Sequence, residues 1–153
     1  MNEVFRQHVE QLHPKYEALM RMEPVTVANL PMNVPASGVY VFSEGESHLY
    51  VGRSRRLRSR LRYHSRNSAK DAPFAFKLAR EQTGNTKASY SSKDSREALL
   101  RDPRFQAEFQ SAKDRIRRMQ IRFVEELDPT RQALLEIYVT LSLKADYNDF
   151  DTH

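Results

Sequence analysis

Between Ser47 and Lys70 the chain carries seven arginines and one lysine, and no acidic residue. The whole chain has 25 Lys and Arg against 20 Asp and Glu, a formal net charge of +5. Without those eight cations, 17 basic residues face 20 acidic ones, a net −3, so the basicity is one local patch. A patch of this kind concentrates polyanions and steers them in. The bland alternative is a solvated helix face, but such a face is built from Lys and Glu together, and acids are missing here. Arginine offers a planar fork of donors to phosphate oxygens. The chemistry to look for is recognition of a phosphodiester, and groups that could hydrolyse one.

Helical periodicity sorts the arginines. Leu57 and Leu61 are one turn apart and face inward. Arg55, Arg58, Arg62 and Arg66 then fan over the outer side, where they suit salt-dependent, sequence-blind phosphate contacts. Arg60 and His64 sit together at one border of the apolar stripe. Two readings of that pair are open. They look along a sheet surface beside Tyr40 and Tyr50, or they are ordinary residues whose polar ends reach solvent from a core margin. Glu136 also has two readings. Gln132, Glu136, Thr140 and Lys144 form an i, i+4 ladder, which reads as a narrow solvent stripe. Val139 and Leu143 flank the same side and partly wall the carboxylate, which suits a hard divalent cation that takes oxygen ligands and keeps waters.

These groups need elements to position them. Val39–Phe42 and His48–Gly52 read as two strands joined by a hairpin through Glu44-Gly45-Glu46-Ser47. With a two-residue loop at Gly45-Glu46, Tyr40 falls opposite Val51 and the two tyrosines point to opposite faces. A bulge or an odd-length connection puts both on one face. One is expected, because a shared site needs both phenols together. Met119–Glu126 alternates and reads as a third strand. Asp128-Pro129 opens a helix to about Lys144, with Leu134, Ile137, Tyr138 and Leu141 inward.

The rest of the chain is helical. Phe5, Val9, Leu12, Tyr16 and Leu19 predict one amphipathic helix near Glu3–Met22. Its apolar face docks on the chain's own core, or on a homodimer partner or regulatory surface. Pro24, Pro31 and Pro35 make residues 23–36 a connector. Lys70-Asp71-Ala72-Pro73 opens a helix through Thr83, ended by Gly84-Asn85. Thr86–Lys93 reads as a polar loop that includes a short strand. Asp94 or Ser95 is an N-cap for helical residues to about Arg118, broken at Pro103. The expected fold is α+β: one domain over residues 1–153, with a small three-stranded, mostly antiparallel sheet flanked by helices. The core is 37–66 plus 119–150, preceded by an N-terminal helix and linker (1–36) and carrying a helical insertion (67–118).

Several function classes are excluded. There are no cysteines, hence no disulfide framework and no zinc–thiolate site. The chain lacks a G-x-S-x-G, an HExxH, a P-loop and a Rossmann fingerprint, and its five histidines are not ligand-spaced. No apolar run reaches the ~20 residues needed to cross a bilayer. The start, MNEVFRQH, has no apolar h-region. The expectation is a cytoplasmic protein with no membrane partner.

Six positions now combine. Gly38-Val39-Tyr40, Tyr50-Val51-Gly52, Arg60 ten residues after Tyr50, His64 four later, Glu136 in LLEIYVTL and Asn148 twelve later in DYNDF resemble the GIY-YIG nuclease family. The resemblance covers 37–66 and roughly 120–150. It implies a metal-dependent endonuclease acting on DNA, with repair among the roles open to it. Single-stranded or structured DNA is included, and low sequence specificity is favoured. It implies one Mg²⁺ or Mn²⁺ on Glu136, Arg60 stabilising the phosphorane, Tyr40 as general base, and Tyr50 and His64 positioning water or phosphate. Arg53, Arg55, Arg58, Arg62 and Arg66 are the implied nucleic-acid contacts, and Gly38, Gly52 and Asn148 are structural. Arg53 stands where family members more often have Lys, which keeps the charge and alters its geometry. The alternative is a non-catalytic nucleic-acid-binding or protein-interaction module on the same scaffold. Asp146, Asp149, Asp151 and His153 read as a solvated tail or a second metal site.

Overall fold

Pro14 decides how the chain begins. In the computed structural model, which describes residues 1–84 and 96–148, the expected single N-terminal helix is two: α1 (Glu3–Val9) and α2 (Leu12–Arg21). A proline has no N–H to give and its ring clashes with the carbonyl four residues earlier, here Glu10. Pro14 is therefore tolerated only in a first turn, and the helix restarts at Leu12 to put it there. Asn2 caps α1 by accepting from the Phe5 N–H at 3.1 Å. α2 buries Leu12 and Leu19, whereas α1 buries nothing.

Three strands form one antiparallel sheet in the order β2-β1-β3: β1 (Gly38–Glu44), β2 (Ser47–Ser54) and β3 (Gln120–Glu125). The expected bulge is present. Glu44 pairs with Ser47 and Ser43 with His48, but Phe42 pairs with Tyr50 and Tyr40 with Gly52. Leu49 is the extra residue in β2. Tyr40, Phe42, Tyr50 and Gly52 consequently share one face, with Phe123 and Ile121 of β3 opposite the first two. On the other face Val39, Val41 and Val51 pack with Leu12, Leu19, Leu135, Val139 and Ala145. Gly38 is required by a close approach, since a Cβ there would lie 2.1 Å from the Val124 carbonyl oxygen.

Both outer edges of the sheet are covered. Val25, in the connector, pairs with Ile121 through N–H···O bonds of 3.0 and 2.6 Å. Farther along β3, Lys15 Nζ donates to the Glu125 carbonyl at 2.6 Å. Along β2, the Tyr147 N–H donates to Leu49 O at 2.9 Å. The Asn148 carboxamide accepts from Val51 N–H and donates to Val51 O, both at 2.7 Å. Asn148 thus acts as one residue of a fourth strand, built from a side chain.

The helix before it, α7 (Pro129–Leu143), starts as its sequence directs, with Pro129 at its first position and Asp128 accepting from Arg131 N–H at 2.8 Å. Its inward face is a correction. Ile137 and Leu141 are exposed, and the buried residues are Gln132, Leu135, Val139 and Thr140. Leu134 and Tyr138 pack at the core's margin. The helix is apolar on most sides, so its rotation is settled by a polar partner outside it: Gln132 Nε2 donates to the Glu126 carbonyl at 2.7 Å. Thr140 Oγ1 is satisfied within the helix, donating to Glu136 O at 2.7 Å. Lys144, at φ 53°, turns the chain back toward β2.

The chain divides into two compact units, Met1–Arg60 with Met119–His153, and Leu61–Arg118. The boundary falls within α3 (Leu57–Tyr63), whose Leu57 and Leu61 are buried as the spacing predicts. The second unit, which contains the expected 67–118 insertion, holds α4 (Pro73–Thr83), α5 (Arg96–Arg101) and α6 (Pro103–Arg117). Gly84 ends α4 at φ 79°, and Pro103 separates α5 from α6, both as expected. Phe76 packs on Phe105 and Phe109, with centroids 5.0 and 5.9 Å away. The Lys113 ammonium is buried, its charge answered by the carbonyls of Arg66, Asn67 and Ala69 at 2.7, 3.2 and 2.5 Å. The expectations for Asn85, Thr86–Lys93, the Asp94 or Ser95 cap, and Asp149, Asp151 and His153 lie outside the described residues. Among the described residues no helix is long and apolar enough to cross a membrane. The fold is mixed α+β, with the sheet antiparallel throughout.

Asn148→Ala removes two hydrogen bonds and leaves the Val51 amide and carbonyl at a half-buried edge. It should cost about 1–3 kcal/mol, read as a lower urea midpoint with an unchanged m-value.

Candidate active site

Two phenols meet on the sheet because a glycine lets them. A Cβ at Gly52 would lie 2.3 Å from Tyr40 Oη and 2.4 Å from Cζ. The Tyr40 ring therefore lies across β2 at its own cross-strand partner, and any larger residue there would expel it. It is only 1% exposed and stands edge-on to Phe42 at 5.8 Å. Tyr50, paired with Phe42, is its diagonal neighbour on the same face.

α3 brings the guanidinium. The Leu57 N–H donates to Ala36 O at 2.9 Å, and Ser54 Oγ accepts from the Arg56 N–H at 2.9 Å. These bonds fix where the helix starts and so which way Arg60 points. Arg60 hydrogen-bonds the Tyr40 phenol, and its charge acts on Tyr50 as well. Glu136 arrives from α7. Its carboxylate lies 3.7 Å from Arg53 Nε, and its side chain is 24% exposed. Its charge is also felt by both phenols. Four residues from three distant stretches of one unit, Tyr40, Tyr50, Arg60 and Glu136, thus form one electrostatic cluster.

Burial dominates the proton affinities. It pushes the Tyr40 hydroxyl well above the ordinary phenol value, helped by Tyr50 and Glu136 and opposed by Arg60. Tyr50 is raised for the same leading reason, with Arg60 opposing and Glu136 assisting. Glu136 is raised by burial and drawn back by Arg53. Removal from water outweighs the one guanidinium beside the phenol. Both tyrosines are neutral hydroxyls at neutral pH.

The residues fit a loosely held divalent cation. A half-buried carboxylate with a raised pKa lacks positive charge, and Arg53 at 3.7 Å answers only part of it. Among the described residues no group of three or more His, Asp or Glu could cage a metal. A single carboxylate suits Mg²⁺ or Mn²⁺ that keeps most of its waters.

The other expected residues separate. Arg53 and Arg55 are exposed, and so is Arg56, which periodicity passed over although it lies one turn before Arg60. Arg58 is half-buried and its Nη2 donates to the Pro31 carbonyl, so one of its donors holds the connector rather than a phosphate. In the second unit Arg62 and Arg66 are exposed, Arg66 beyond the end of α3. His64, also there, is fully buried and edge-on to Phe74 at 6.4 Å. Comparison of the chain with family models, with curated proteins and with solved structures gives no match.

Two measurements check this geometry. Gly52→Ala should destabilise the protein by about 1–3 kcal/mol but far less in a Tyr40→Ala background, a coupling of about 0.5–3 kcal/mol in a double-mutant cycle. Glu136 has a folded pKa above its unfolded value, so its contribution is present below the ordinary Glu value of ~4.3 and is lost as pH rises through the folded one. At pH 7 its ionised form opposes folding, and Glu136→Gln should raise the denaturation midpoint there, with the gain vanishing in acid.

Proposed function

We propose that the protein is a metal-dependent endonuclease that hydrolyses DNA phosphodiester bonds, of the GIY-YIG kind. The observation that carries this reading is the convergence of Tyr40, Tyr50, Arg60 and Glu136, from β1, β2, α3 and α7. Around one scissile phosphate these groups supply what hydrolysis needs: hydroxyls to orient water, a fork for the phosphoryl oxygens and an anchor for a cation. The surrounding arginines supply sequence-blind affinity.

In the proposed mechanism Glu136 would hold a divalent ion, and such an ion would supply positive charge to the phosphate and the departing oxygen. Tyr50 donates its hydroxyl proton to a phosphate oxygen or to the attacking water and so fixes the line of attack. Arg60 places its fork against the non-bridging oxygens, where charge grows as the fifth bond to phosphorus forms. Tyr40 orients Arg60 and, after releasing its own proton to solvent, takes the proton of the attacking water. Burial opposes that release and Arg60 favours it. The bond from phosphorus to the leaving oxygen breaks as the new P–O bond completes, and the leaving alkoxide takes a proton from solvent.

Purified protein incubated with labelled single- and double-stranded DNA, with Mg²⁺ and then with EDTA, tests this directly. Cleavage should require the metal. Arg60→Ala should lose about 10²–10³ in rate, and Glu136→Ala should abolish metal-dependent cleavage. Full activity from Glu136→Ala would rule out the metal assignment. Metal-insensitive binding without cleavage would favour the non-catalytic module. Because the base has a raised pKa, kcat/KM should climb with pH without a plateau below ~10, and Tyr40→Phe should flatten the slope. Arg55→Ala should leave kcat alone and reduce the salt dependence of binding by about one phosphate contact.

A further inference from the structure

The connector that precedes β1 displays a side chain that the fold does not use. Met32 is 98% exposed. A lone exposed apolar residue carries no argument by itself. This one differs in how it is held. It forms the tip of a turn with Asn33, between Pro31 and Pro35, whose rings fix the backbone on either side. The connector is tied down before the turn by the two Val25–Ile121 bonds, and after it by the bond from Leu57 N–H to Ala36 O. Arg58 clamps it a third time, at the carbonyl of Pro31, the residue immediately before Met32. A thioether chain is thus held out into water on an anchored loop, one peptide unit from an arginine of the basic patch.

Proteins that deform DNA insert apolar wedges, Met among them, between base steps while cations hold the phosphates outside. We propose that Met32 is such a wedge, entering a base step of a DNA duplex whose backbone is held by the exposed Arg55 and Arg56. The proposal rests on the reading of this protein as a DNA nuclease, and it adds how the duplex is opened. Bending at such a step makes easily unstacked steps and mismatches the preferred substrates.

The test uses full-length protein and short duplexes with 2-aminopurine walked along one strand, in EDTA so that no cleavage occurs. Saturating wild-type protein should raise the fluorescence at one or two adjacent positions. Met32→Ala should lose that rise although anisotropy shows the duplex still bound, and Met32→Phe should keep it. Since the side chain is almost wholly exposed, Met32→Ala should leave Tm unchanged. A full rise with Met32→Ala overturns the wedge. So does wild-type binding with no rise at any position, which leaves the nuclease reading standing. Absence of any duplex binding by wild-type protein also overturns the wedge, and the nuclease reading is then decided by cleavage of the single-stranded substrate.

Discussion

A phenol ring lying across a glycine sets the geometry on one face of the sheet. Tyr40 occupies the space that a side chain at position 52 would fill, and it can do so only because β2 carries one extra residue at Leu49. Without that bulge, Tyr40 would face Val51, and Tyr50 would project into the valine core with Val39 and Val41. The bulge therefore decides two things at once. It keeps the aliphatic face uninterrupted, and it gathers hydroxyls on the opposite face. The rest of this unit adapts to that arrangement: α3 is pinned at Ser54 and Ala36 so that Arg60 meets the ring, and α7 brings Glu136 within reach of both phenols.

Burial is what makes the cluster unlike a random set of polar residues. Tyr40 is almost completely removed from water yet hydrogen-bonds a guanidinium, and Glu136 keeps a charge that its surroundings disfavour. The buried carboxylate works against stability at neutral pH and leaves an electrostatic demand that a cation would meet. The proposed activity depends on the four residues jointly, since the basic surface alone would suit a simple binding module equally well.

What the sequence made legible follows from short-range rules. The hairpin turn, the Asp128-Pro129 start, the Pro103 break and the Gly84 stop each depend on neighbours within a few residues, and each is where its chemistry puts it. Even the bulge was accessible: parity puts the tyrosines on opposite faces of a simple hairpin, and a site shared by both phenols demands one extra residue. The misses are of another kind. α7 is apolar nearly all round, so its rotation depends on Gln132 finding the Glu126 carbonyl, a partner no periodicity names. His64 and Arg60 look equivalent on a helical wheel, yet one is sealed beneath Phe74 and the other meets a phenol. Nothing local reveals that Arg58 bonds the Pro31 carbonyl, 27 residues earlier. The break between α1 and α2 was the one miss that a local rule could have prevented: Pro14 was in plain view.

The two covered margins of the sheet have a consequence for how this protein behaves among its own copies. An open strand edge is a template on which identical chains stack into fibrils. Here one margin is occupied by Val25 and Lys15 and the other by Tyr147 and the amide of Asn148, so a neighbouring molecule finds few unpaired backbone groups to join. Among the described residues, the exposed helix side chains Ile137 and Leu141 offer another route to self-association, one that stays reversible where strand-to-strand growth would not.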